Sequence, residues 1–455
     1  MSESPRRRAW ALPALGLALL ALTAAAAYWH APGATDAESA HHRSVFVALA
    51  CVASLVYLAA VAVTLNLRLP RRALWGILLC AALMRLAALP TVPLLSTDVY
   101  RYVWDGKVQV AGINPYRYIP DAPELKALRD DFMFPRINRA DYAHTIYPPT
   151  AELVYFLGAF LSPTYVGMKA LMVALEIGAI AVMLRLLGRA RLPRERILIY
   201  AWNPLPVWEF AGNGHVDALA LALIALMMLA YLARARLATG ALLGAAILVK
   251  FLPLALFPAF WRRWDWRMPA ACVAAILLLY LPYYLGVGTG VFGFLPNYAS
   301  EEGLTTGAGF YPIFVLERLL PLAPAAIYAI EAAATLLLLW LGWWIAFARD
   351  PRLAGAEEIA ILGRDVLLLS TALMLALTPH FAWYYAWLAF PACLWPSYSV
   401  LYLTGAAFLL NFDPEHRDLL WRGLMFGPFV PFAAMEYIWR RRGAALPLAG
   451  ILRRI

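Results

Sequence analysis

Charge is what this sequence has least of. Only 15% of its 455 residues are Asp, Glu, Lys or Arg, against about a quarter in an ordinary soluble domain. Lysine is scarcer still, with Lys107, Lys126, Lys169 and Lys250 in the whole chain. The four cysteines, Cys51, Cys80, Cys272 and Cys393, all fall inside apolar runs. There they read as small buried hydrophobes, not as a disulfide framework or a metal set. No HExxH or HxxxH pattern occurs, and the one His beside one Asp in AGNGHVDAL is no ligand set, so no metal is expected. Gly-rich phosphate loops and a GxSxG elbow are missing too. The period-two alternation of a membrane β-barrel is absent.

Long hydrophobic runs fill the space. The chain is 63% hydrophobic with a mean hydropathy of +0.67. Stretches such as SVFVALACVASLVYLAAVAVTL and AAIYAIEAAATLLLLWLGWWIAF approach the roughly 20 residues that cross a bilayer. These runs predict an all-α polytopic membrane protein, with residues 1–455 forming a single transmembrane domain. No cleavable signal peptide is evident, since the run after Arg6-Arg7-Arg8 is long enough to stay as a helix. The net charge of +10 does not call for nucleic acid, because the arginines flank apolar runs, where they set topology. Basic clusters at Arg68–Arg72, Arg185–Arg196, Arg234–Arg236, Arg262–Arg267, Arg349–Arg364 and Arg440–Arg442 mark the cytoplasmic side. Counting crossings between them gives about twelve to thirteen helices, with both termini cytoplasmic in a cell (inner) membrane. Residues 91–150, residues 286–318 and the short NFDPEHRD then face outward. Residues 237–261, with Lys250, Pro253 and Pro258 and basic clusters on both sides, read as a re-entrant or broken hairpin. Such backbone is tolerated at membrane depth only against protein or a polar cavity.

Residues 91–150 hold seven basic and seven acidic residues and many aromatic rings. Balanced charge with rings predicts a folded loop, not a disordered one. Ser96, Thr97 or Asp98 caps a helix that runs to about Val110 and stops at Gly112. Asp98, Arg101 and Asp105 share one face, while Tyr100, Val103, Trp104 and Val108 form much of the other. That pattern predicts an amphipathic helix lying at the membrane interface. Its charged face reads two ways. It is either a solvated Asp-Arg-Asp ladder, or a cavity wall on which Asp98, next to the membrane exit, is fixed for function.

Sugar transfer at the outer surface would suit the second reading. A sugar on a polyprenyl phosphate carries its own leaving group, so the site needs one carboxylate base for the acceptor hydroxyl. It also needs cations for the departing phosphate. A double displacement wants two carboxyls about 5 Å apart. Asp98 and Asp105 lie about 10.5 Å apart along a helix, so single displacement with inversion fits better. Asp98 is then the base, and Asp105 is structural or acceptor-binding. Lys250 is expected to bind phosphate, against the plainer reading of a snorkelling side chain. Arg101 either joins it or pairs with Asp98. His380, in TPHFAWYYAW, is a phosphate donor or a packed interface ring. Trp383 and Tyr384 beside it stack on sugar faces or form an aromatic belt. Tyr102, Tyr147, His215 and Asp217 complete the residues expected at the acceptor or sugar. His215 and Asp217 also read simply as a hydrogen-bonded turn.

The stretches STDVYRYVWDGKVQVAGINPYRY, TIYPPTAELVYF, WNPLPVWEFAGNGHVD, GALLGAAILVKFLPLALFP and TPHFAWYYAW follow one another along most of the chain. In that order they resemble the GT-C class of integral-membrane glycosyltransferases. They are most similar to bacterial polyprenyl-phosphate-mannose-dependent α-mannosyltransferases and glycosyltransferase family 87. The resemblance implies a GT-C type helical bundle with short helices in the first outside loop, Asp98 as base and His380 at the phosphate. It also implies no cofactor or metal, a lipid-monophosphate sugar as donor, and mannose as the sugar. The acceptor is a glycan, a lipid or a protein. A transporter or lipid flippase is the main rival, which would show paired broken helices. A polysaccharide polymerase or ligase is the other, usually with its large loop late in the chain.

Overall fold

A computed structural model describes residues 5–33, 35–301, 307, 309–350, 352–413 and 418–441. The long apolar runs become helices, because in a bilayer each backbone group must bond within its own segment. Among the described residues six helices are long and apolar enough to cross: Ala11–Trp29, Asp36–Asn66, Tyr165–Arg189, Arg267–Phe292, Pro324–Ala348 and Gly355–Leu377. A seventh crossing arises if Pro204–Gly212 and Asp217–Leu232, bent by 119° at their junction, count as one. Four shorter apolar helices are Ala73–Ala88, Pro149–Leu161, Arg236–Ile247 and Tyr398–Phe412. No strand occurs among the described residues. The protein is an all-α, multi-pass membrane protein. A count of twelve to thirteen crossings would have to include the short and bent segments. The termini expected on the cytoplasmic side (1–4 and 442–455) and half of the expected outer turn (414–417) lie outside the described residues, as do 302–306 and 308 of the second loop.

Buried polar ties hold the helices in register. Arg85 on Ala73–Ala88 donates to Glu176 on Tyr165–Arg189 through Nε (2.7 Å) and NH2 (2.6 Å). Tyr200 Oη adds a bond of 2.9 Å to the same carboxylate. The planar fork and the third donor satisfy charges that would otherwise be costly to bury. Tyr57 Oη donates to Ile199 O (2.5 Å), and Trp202 Nε1 to Ile77 O (2.8 Å), so the turn after Arg194 is bonded on both sides.

Residues 91–150 fold as their composition predicts, but the helix within them is placed differently. Asp98–Val110 is helical. Ser96 Oγ accepts from Asp98 N (3.2 Å), whereas Thr97, at the cap position, makes no side-chain cap. At the other end Gly112 takes φ +77°, and Gly112 N and Ile113 N bond to Gln109 O and Val108 O. That paired closure uses the conformational freedom of glycine. The helix is buried on nearly all sides, from Val99 to Gly106 and at Val108. Tyr102 stacks on Tyr155, and Trp104 packs on Phe134. The expected interfacial helix, with its aromatic side in lipid, is therefore corrected: the rings pack on the helix Pro149–Leu161 and on the loop itself.

Residues 237–261 form the helix Arg236–Ile247, a turn through Lys250, and short helical turns at Leu252–Leu256 and Phe257–Phe260. A bend of 119° lies at the AGNGHVD segment, where the sequence suggests an ordinary turn.

Candidate active site

The start of the Asp98 helix, the second half of the first loop, the Lys250 turn and the segment after Gly355–Leu377 converge on one cavity of about 650 Å³. Asp98, Arg101, Tyr147, Lys250, His380, Trp383 and Tyr384 all line it. Tyr102, Asp105, His215 and Asp217 are buried and stand behind its wall.

Asp98 is half-buried, and its Oδ1 accepts from Asn138 Nδ2 (2.8 Å). Arg101 does not pair with it. Arg101 Nε bonds to Asp105 Oδ1 (2.9 Å), and NH1 to Ala143 O (3.2 Å). The ladder anticipated from the sequence thus breaks into an Asp98 held by Asn138 and a buried Arg101–Asp105 pair. Asp105 also neighbours the buried Glu152, which accepts from Thr145 Oγ1 (2.8 Å) and Gln109 Nε2 (2.8 Å). Burial pushes the Asp105 carboxyl above the usual carboxylate range, against the pull of Arg101.

Lys250 Nζ donates to Asp217 Oδ2 (2.5 Å) and lies 4.6 Å from the Tyr384 ring centre. Asp217 also accepts from Trp387 Nε1 (3.2 Å). His380 Nε2 lies 3.5 Å from Arg422 NH2. An arginine only donates, so Nε2 accepts and the imidazole proton sits on Nδ1. Trp383 is the middle of a three-ring stack, with Phe381 at 4.5 Å and His215 at 4.1 Å. Behind it His215 Nδ1 is 2.9 Å from Glu209 Oε2. Asn213 Nδ2 donates to that carboxylate (2.9 Å), so Asn213 Oδ1 accepts from His30 Nε2 (3.0 Å). Burial, with Lys169 nearby, pushes the His30 imidazole down to about 3.

The sequence reading missed several of these groups. Asn138, Arg139 and His144 line the cavity from loop segments without periodic pattern, and Tyr298 from the short helix Leu295–Glu301. Glu209 sits on a π-helical turn, Val207–Gly212, whose irregularity has no sequence signature. A second lysine also lies within an apolar run. Lys169 is fully buried in Tyr165–Arg189, donating to Thr91 O (2.7 Å). Arg43 lines the cavity as well. Its signal was legible: a lone arginine opening an apolar run on the side away from the basic clusters, against the usual asymmetry. No group of three potential metal ligands occurs among the described residues.

A membrane-embedded helical protein whose cavity carries a carboxylate, several cations and stacked rings has the equipment of a glycosyltransferase. A family model described as alpha-(1->6)-mannopyranosyltransferase, N-terminal domain, matches residues 9–264, more than half of the chain. The chain belongs to this MptA/B family, and the protein is a mannosyltransferase. No curated protein and no solved structure matches it.

Proposed function

We propose that the protein transfers mannose from a polyprenyl-phosphate donor to a hydroxyl of a glycan, lipid or protein acceptor. Transfer is a single displacement on the extracytoplasmic face. The observation that carries this reading is the convergence of Asp98, Lys250 and His380, far apart in sequence, on one cavity. Asp98 takes the acceptor proton, and its bond to Asn138 orients the carboxylate. As the acceptor oxygen bonds to the anomeric carbon, the carbon–oxygen bond to phosphate breaks and its electron pair leaves with the phosphate. Lys250, His380 Nδ1–H and Arg101 stabilise that charge. Trp383, Tyr384 and Tyr147 bound the sugar and acceptor volume. Tyr102, Asp105, His215 and Asp217 act through the groups they hold. An α-linked product reached by inversion requires a β-linked donor.

The test is transfer by purified protein in liposomes, using a panel of polyprenyl-phosphate sugars. β-Mannosyl donor should be consumed and the α-anomer ignored. Asp98→Asn should abolish transfer while keeping the fold. Full activity in Asp98→Asn removes the mechanism. Movement of a lipid or solute with no transfer would favour the transporter.

A further inference from the structure

Among the described residues four Arg or Lys side chains line the cavity, and three of them answer to carboxylates. Arg101 pairs with Asp105, Lys250 with Asp217, and Arg139 with Glu301 (2.9 Å). The fourth is Arg43, half-buried in the second turn of Asp36–Asn66. It makes no hydrogen bond or ion pair with any described residue. Its neighbour His42 is already committed, through Nδ1, to Ala31 O (2.8 Å).

An unpaired guanidinium keeps its charge at any working pH and presents a planar fork of donors suited to two oxygens of one phosphate. The reaction has a use for it. A sugar linked through a prenyl phosphodiester carries one negative charge. When the acceptor oxygen bonds to the anomeric carbon and the bond to phosphate breaks, the prenyl phosphate leaves with a second. The acceptor proton goes to the Asp98 carboxylate. The three paired cations face that growing charge with their own fields largely cancelled, whereas that of Arg43 is not. We infer that Arg43 binds the donor phosphate and takes up the charge that develops on the leaving prenyl phosphate. The inference rests on the polyprenyl-phosphate reading of the donor.

The experiment uses the full chain in nanodiscs. Direct binding of farnesyl phosphate, farnesol and inorganic phosphate is measured alongside transfer from prenyl-phosphate mannose. Arg43→Gln should lower kcat/KM for the donor about a hundredfold and weaken farnesyl phosphate binding about tenfold. Farnesol binding, the acceptor KM and the melting temperature should stay as in wild type. Arg43→Lys should recover part of the loss, and it serves if Arg43→Gln does not fold. A parallel loss of inorganic phosphate binding places the contact on the headgroup itself. A loss confined to farnesyl phosphate still supports a phosphate contact, made once the chain is seated. Unchanged donor kinetics and unchanged farnesyl phosphate binding in Arg43→Gln overturn the inference alone. So do equal losses for farnesol and farnesyl phosphate, which indicate a structural role. A wild-type protein that binds farnesyl phosphate no better than farnesol, and transfers nothing from a prenyl phosphate, removes the donor reading and this inference with it.

Discussion

Lys250 and Asp217 form one unit: Nζ stands 2.5 Å from Oδ2, with the carboxylate fully buried and the ammonium facing the cavity. Sequence reading assigned the two to different substrates, phosphate and sugar. Their contact makes Asp217 the residue that holds Lys250 in place. Lys250→Met should cost about 3 kcal/mol, because it strands a buried carboxylate. The double variant Lys250→Met/Asp217→Asn should regain most of that stability but not the donor kinetics. Melting curves and donor KM for the three proteins check this. Normal stability in Lys250→Met would deny the pairing.

Gly106 sets how closely the Asp98 helix approaches Pro149–Leu161. A Cβ there would stand 2.2 Å from Tyr155 O, a backbone atom that cannot swing aside. Gly106→Ala should destabilise by about 2 kcal/mol and lower transfer, as the helix carrying Asp98 shifts. Wild-type melting and activity in Gly106→Ala would show that this close approach does not position Asp98.

His30 gives a pH signature. Burial pushes its imidazole down to about 3, so the folded protein keeps it neutral. The stability this contributes is fully present above the unfolded value near 6.5. It is lost as pH falls from there towards 3, at no more than about 1.4 kcal/mol per pH unit. His30→Gln, which can still donate to Asn213, should flatten the acid limb of melting temperature against pH. An unchanged limb would place the acid sensitivity elsewhere.

The stack His215–Trp383–Phe381 predicts a split in kinetics. Trp383→Leu removes the ring that lines the cavity, and one aromatic stack is worth about 1 kcal/mol. The KM for sugar donor or acceptor should rise several-fold with kcat changing less, and Trp383→Phe should keep most of the function. A fall in kcat alone would place Trp383 near the reacting atoms instead of on the sugar face.

Much of the fold was legible because its causes are local. Apolar length fixes helix and membrane class, and Ser96 and Gly112 bracket the Asp98 helix by local chemistry, a side-chain acceptor at one end and a positive φ at the other. Asp98, Lys250 and His380 stood out because a charged or polar group beside apolar runs is costly wherever it lies. The partners of these residues were not legible. Periodicity put Arg101 on one face with both Asp98 and Asp105, and only packing chose Asp105. An amphipathic pattern cannot say whether its aromatic side meets lipid or protein, since both are apolar; here Tyr155 and Phe134 meet it.

The sequence by itself determined a multi-pass helical membrane protein, a folded first loop and the kinds of group at its centre. Those follow from hydropathy, helix periodicity and the cost of burying charge, which act over a few turns of chain. The tertiary structure decided which groups share the cavity and which brace them from behind. It seated Arg43 on the same cavity as Lys250 and His380 and withdrew Asp217, His215 and Asp105 into the wall. That division depends on helices far apart in sequence meeting at one point, and a local pattern carries no record of such a meeting.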